Sequence, residues 1–117
     1  MISKDLLKGS LKSIILKLLA ENDRMYGYEI TQKVSEITNT QVKLTYGALY
    51  PILHKLEKDG AVITETETVN NRNRVYYSLT KSGTNTAKEK IKELKDFVEM
   101  INIILTPQTG SLNVQSI

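Results

Sequence analysis

The chain contains no cysteine and no tryptophan, and only one histidine and one phenylalanine in 117 residues. Without cysteine there are no disulfides, no thiol nucleophile and no thiolate metal site. One histidine with no cysteine falls short of the usual zinc ligand sets. No apolar run approaches the ~20 residues needed to span a bilayer. The opening, MISKDLLKGS, lacks the cationic-then-apolar layout of a secretory signal. The expected location is therefore the bacterial cytoplasm.

Catalytic machinery is equally sparse. General acid–base work needs positioned titratable groups. His54 has Glu57 and Lys58 one helical turn away, but no serine nucleophile in a recognisable setting accompanies it. There is no Gly-rich phosphate loop and no His/Cys/Asp ligand cluster. No enzyme, metal site or cofactor is expected.

Hydrophobic residues make up 40% of the chain, enough for one domain with a real core. There are 16 Lys+Arg against 13 Asp+Glu, a net charge of +3 with a pI of about 9.1. That excess permits a polyanionic partner without requiring one. Its placement says more. Of the three arginines, Arg24, Arg72 and Arg74, two fall within the polar stretch NNRNR.

Leu7, Leu11, Ile14, Ile15, Leu18 and Leu19 recur at helical spacing and predict a first helix over Lys4–Glu21. A second helix is predicted over Gly27–Thr38, with Ile30, Val34 and Ile37 as its buried stripe. A third runs over Tyr46–Asp59, with Thr45 as N-cap and Gly60 in the left-handed position that follows a helix. Its apolar stripe is Leu49, Ile52, Leu53 and Leu56; Gly47, Pro51, His54 and Lys58 face the other way, flanked by Tyr50 and Lys55. Pro51 gives up an amide and crowds the Gly47 carbonyl, where the backbone has most room to adjust.

Val62–Thr68 and Arg74–Leu79, rich in β-branched and aromatic residues and parted by a polar turn, predict a hairpin. Thr80 caps a last helix, Lys81–Leu105, stopped by Pro107 and Gly110. Its apolar residues Ala87, Ile91, Leu94, Val98, Ile101 and Leu105 are spaced 4, 3, 4, 3 and 4, a heptad rhythm, with Phe97 and Ile104 widening the stripe. One small domain alone cannot cover such a stripe, so a homodimer is expected, with an intramolecular helix pair in a monomer as the alternative. Its interface would use Leu7, Leu11, Ile15, Ile91, Leu94, Phe97, Val98, Ile101 and Leu105.

Three helices, a basic hairpin and a long helix make a fold that is mainly α with a small β-hairpin wing. This is a winged helix-turn-helix over 1–80, a dimerisation helix over 81–105 and a flexible tail over 106–117. In such a fold the third helix enters the major groove, and a two-fold dimer sets two of them about 34 Å apart, one turn of B-DNA. Tyr50, His54 and Lys55 would then meet phosphates or base edges. Tyr26 and Lys43 would clamp neighbouring phosphates. Arg72 and Arg74 would reach the minor groove or its phosphates.

Plainer readings stand beside these. Lys58 alone reads as a solvated charge, Tyr46 and Tyr50 as either contacts or rims of the core, and Phe97 as packing. A winged-helix module that binds protein instead of DNA is the alternative, favoured by Glu65 and Glu67 on the first wing strand.

The stretches YGYEI (26–30), LTYGALYPILHKLEKDGAVI (44–63) and RVYYSLTKSG (74–83) closely resemble the PadR-type transcriptional regulators. LLKGSLKSIILKLL (6–19) resembles the first helix of that family. The run G-x-L-Y-P-x-L-x-x-L-E-x-x-G is the most specific part. The resemblance implies a DNA-binding winged helix that dimerises through its C-terminal helix and acts on a near-palindromic operator, often as a repressor released by a small-molecule effector. The matched positions are Tyr26, Tyr46, Gly47, Tyr50, Pro51, Lys55, Arg72 and Arg74. Only one helix follows the wing, as in the short subgroup. Some members of that subgroup bind flat aromatic drugs through a tryptophan in the last helix, which this chain lacks.

Overall fold

Gly9 and Ser10 interrupt what the apolar spacing reads as one N-terminal helix. The computed structural model, which describes residues 2–108, has two helices there, α1 (Lys4–Lys8) and α2 (Leu11–Glu21). The Ser10 amide and hydroxyl both donate to the Leu7 carbonyl, at 2.8 and 2.9 Å. This local bonding competes with the helical ladder beside a glycine that favours it weakly. The predicted continuous helix over Lys4–Glu21 is corrected accordingly.

The chain continues through β1 (Met25–Tyr26), α3 (Gly27–Ile37), α4 (Tyr46–Lys58), β2 (Val62–Val69), β3 (Arg72–Leu79) and α5 (Lys81–Leu105). The expected stop at Gly110 and the tail residues 109–117 fall outside the described range. The strands form one antiparallel sheet in the order β1-β3-β2. The fold is thus mostly helical with a small three-stranded sheet and a long C-terminal helix.

The core is assembled from Ile15, Leu16 and Leu19 of α2, Ile30 and Val34 of α3, Leu49, Leu53 and Leu56 of α4, Val62 and Tyr77 of the sheet and Ala87 of α5. Each fully buried aliphatic side chain contributes roughly 1.5–3 kcal/mol. Ile37, expected in the α3 stripe, is 65% exposed. It is the last residue of α3, and the chain turns away through Asn39 and Thr40, both at positive φ.

The hairpin is tighter than predicted. Only Asn70 and Asn71 form the turn, at φ of 51° and 63°, and Val69 already pairs with Arg72. Asparagine tolerates the left-handed region, so a two-residue turn suffices. Arg72, Asn73 and Arg74 therefore belong to β3 and not to a five-residue tip.

α5 packs its first half along α2, and its distal half extends the molecule to 64 Å against 29 and 20 Å in the other directions. Among the described residues, no helix is long and apolar enough to cross a membrane.

Candidate nucleic-acid interface

The position of α4 is fixed at both ends. The Thr45 hydroxyl accepts from the Ala48 amide at 3.2 Å. At the other end Gly60, at φ +80°, donates to Glu57, and Ala61 donates to Leu56. These two bonds satisfy the last carbonyls of the helix. With Leu49, Leu53 and Leu56 in the core, two parallel ridges face out. One is Tyr46, Tyr50 and His54, with ring centroids 5.6 and 5.9 Å apart. The other is Gly47, Pro51 and Lys55, all exposed.

Tyr50 rims the core and keeps one edge exposed. Its ring is half-buried against the start of α3, where the hydroxyl rests over Gly27, and its edge remains open beside His54. Burial, helped by Tyr46, pushes its phenol above the usual value, so it stays a hydrogen-bond donor. Tyr46 is half exposed. Nothing but the Thr45 hydroxyl, at 3.9 Å, comes within reach of a methyl placed on Gly47.

β1 was invisible in the sequence because two residues carry no period. It pairs Met25 with Tyr77 and Tyr26 with Tyr76. Tyr26 caps α3, and its amide donates to the Glu29 carboxylate at 3.1 Å. On this face of the sheet Arg74 lies over the Tyr26 ring, 4.5 Å from its centroid, and Tyr26 meets Tyr76 edge-on at 5.3 Å. Tyr26, Tyr28, Tyr46, Arg72, Asn73 and Arg74 surround one open cleft of about 390 Å³ between the wing and the helix starts.

The sequence-predicted residues thus divide. Tyr26, Tyr46, Arg72 and Arg74 share the cleft, and Tyr50 and His54 continue its line along α4. Gly47, Pro51 and Lys55 form the adjacent ridge; Lys55 also pairs with Asp59 at 2.9 Å and holds that carboxyl below its usual range. Lys43 lies outside the cleft, in a groove shared with Lys4, Lys8, Thr45 and Gly47.

Two groups escaped the sequence reading. Tyr28 completes the cleft. Arg24, to which the sequence assigned no role, reaches 41 residues along the chain to Glu65 at 2.9 Å and also binds Glu67 at 2.5 Å. Its guanidinium covers Tyr76 at 3.9 Å. One guanidinium thus engages both wing carboxylates and offsets one of their two charges. A sequence offers no signal for so distant a pair.

The predicted dimer residues also divide. Phe97, Val98 and Leu105 are 59%, 50% and 75% exposed, while Ile91, Leu94, Ile101, Leu7 and Leu11 are half-buried. Ile15 is a correction: at 0% exposure within one chain, it supports the α2–α5 packing from beneath and has no surface to offer a partner.

Comparison with known proteins agrees with this geometry. Residues 15–89 match the model of the transcriptional regulator PadR-like family. A Lysinibacillus sphaericus protein, uncharacterised protein X, is 35% identical over 106 residues, 90% of this chain and 96% of its own length. Transcriptional regulator Rv3488 of Mycobacterium tuberculosis is 29% identical over 94 residues, 80% of this chain and 84% of its own. Among solved structures, a transcriptional regulator from Clostridium thermocellum superposes with a TM-score of 0.79 at 29% identity, covering 88% of this chain and all of its own. A PadR-like transcription factor from Bacteroides fragilis gives 0.68 at 30% identity, with 86% and 94% covered. The chain belongs to the PadR-like family of transcriptional regulators.

Proposed function

We propose that this regulator binds a near-palindromic operator in double-stranded DNA as a cytoplasmic homodimer and represses transcription. One observation carries the reading. Tyr46, at the head of the aromatic ridge of α4, shares one cleft with the arginines of β3, while the opposite face of α4 is in the core. A helix with such a face fits a major groove, and arginines on a hairpin beside it suit the flanking backbone or minor groove. The wing carboxylates that favoured a protein-binding module are both held by Arg24, which offsets one of their two charges, so they weigh less against a polyanion. The exposed apolar face of distal α5 fits a second copy, which would place two α4 helices on one side of the duplex. An effector that releases repression would act on this dimer.

Selection of bound duplexes from a random pool tests the proposal. The expected product is a site with dyad symmetry whose half-sites lie about 10 base pairs apart, or a multiple of that. Enriched sequences with no dyad would contradict the dimeric operator.

A further inference from the structure

Glu67 and Arg74 stand directly opposite each other across β2 and β3. Opposite charges so placed are within reach, and an arginine fork matches a carboxylate. Yet they do not pair. Arg24 holds Glu67 and Glu65 together, with its guanidinium stacked on Tyr76. Arg74 lies instead over Tyr26, at the edge of the cleft. Among the described residues neither Arg72 nor Arg74 holds a carboxylate.

We propose that Arg24 is a positioning residue: it keeps the two wing carboxylates away from Arg74 and so leaves the Arg74 guanidinium, beside Tyr26 and Tyr76 and paired with no carboxylate, for a backbone phosphate. This rests on the DNA-binding reading and deepens it. The fork of Arg24 engages both carboxylates at once, which one lysine cannot do. Because Arg24 comes from the segment before β1, the same contact ties the hairpin to the body of the domain. Removing it leaves Glu67 facing Arg74, its cross-strand neighbour. A captured Arg74 would bring no net charge to the duplex.

The test is a cycle of duplex affinities at one salt concentration, over wild type, Arg24→Gln, Glu67→Gln and the double variant. Arg24→Gln should weaken binding about fivefold, and the loss should shrink below about twofold in the Glu67→Gln background, where nothing can capture Arg74. Arg24→Lys should follow the same pattern with a smaller loss. Equal losses in both backgrounds would mean that Arg24 acts only through its own charge, and would overturn the proposal. A second readout needs no DNA. With three arginines in the chain, side-chain amide NMR resolves each guanidinium. Arg24→Gln should move the Arg74 signal and adding Glu67→Gln should return it; an unmoved Arg74 signal overturns the proposal. Wild-type protein that binds no duplex would instead remove the DNA reading, and the arginine spectrum tells the two failures apart.

Discussion

Gly83 lies directly against the Ala61 carbonyl: a methyl on its α-carbon would overlap the oxygen and stand 2.7 Å from the carbonyl carbon. Around this contact the Thr80 amide donates to the Ala61 carbonyl at 2.9 Å, and the Thr80 and Ser82 hydroxyls donate to the Gly60 carbonyl at 2.7 and 3.2 Å. The end of α4 is thereby joined to the start of α5. In a dimer held by α5, this junction would pass the spacing of the two long helices to the two recognition helices.

Gly83→Ala should therefore destabilise the fold by about 2–3 kcal/mol, because the obstacle is backbone that cannot turn aside. Alanine is the better helix former, so the sign is informative. Urea unfolding checks it: a stability equal to or above wild type would contradict the contact.

Gly47 makes the opposite case. A methyl there meets only the Thr45 hydroxyl, at an ordinary contact distance of 3.9 Å, yet glycine inside a helix costs about 0.5–1 kcal/mol relative to alanine. Gly47→Ala should raise stability by that amount and weaken duplex binding, since the backbone could no longer approach as closely. Parallel melting and DNA titration decide it. Unchanged affinity would take Gly47 out of the interface.

Thr40 is β-branched and sits at φ +63°. A left-handed backbone costs an ordinary residue roughly 1–2 kcal/mol, and asparagine less. Thr40→Asn should stabilise the fold by about 0.5–1 kcal/mol. It is not among the residues that line the cleft, so duplex affinity should not change; a thermal melt and one titration check both parts.

Phe97 and Val98 carry the exposed apolar face of α5. A lysine at both positions should dissociate the dimer at micromolar concentration while leaving the domain folded, because charges would be buried without partners. Light scattering after size exclusion checks this. A wild-type mass of 13.2 kDa would contradict the dimer outright.

What could be read from the sequence followed the range of the interactions. Thr45 and Thr80 were recognisable as caps and Gly60 as a left-handed stop, because each bond closes within a few residues. The bounds of α5 followed from the Thr80 cap and the Pro107 stop, and the face of α4 from its period. The break at Gly9–Ser10 was missed because apolar spacing runs straight through it. The two-residue turn was missed because Asn70 and Asn71 looked no different from the residues after them. Arg24, Tyr76 and the Gly83–Ala61 contact were illegible for one shared reason: each depends on a partner that only the folded chain brings near.

The central claim is that the α4 ridge and the β3 arginines together face DNA phosphates and base edges. Its most direct measurement is titration of a duplex with wild type and with Arg72→Ala/Arg74→Ala over a series of salt concentrations. Wild type should bind at about 50 mM salt with steep salt dependence, and the double variant should lose affinity and flatten the slope by about one unit per phosphate contact removed. A wild type that binds no duplex at low salt, or a double variant with unchanged affinity and slope, would contradict the account.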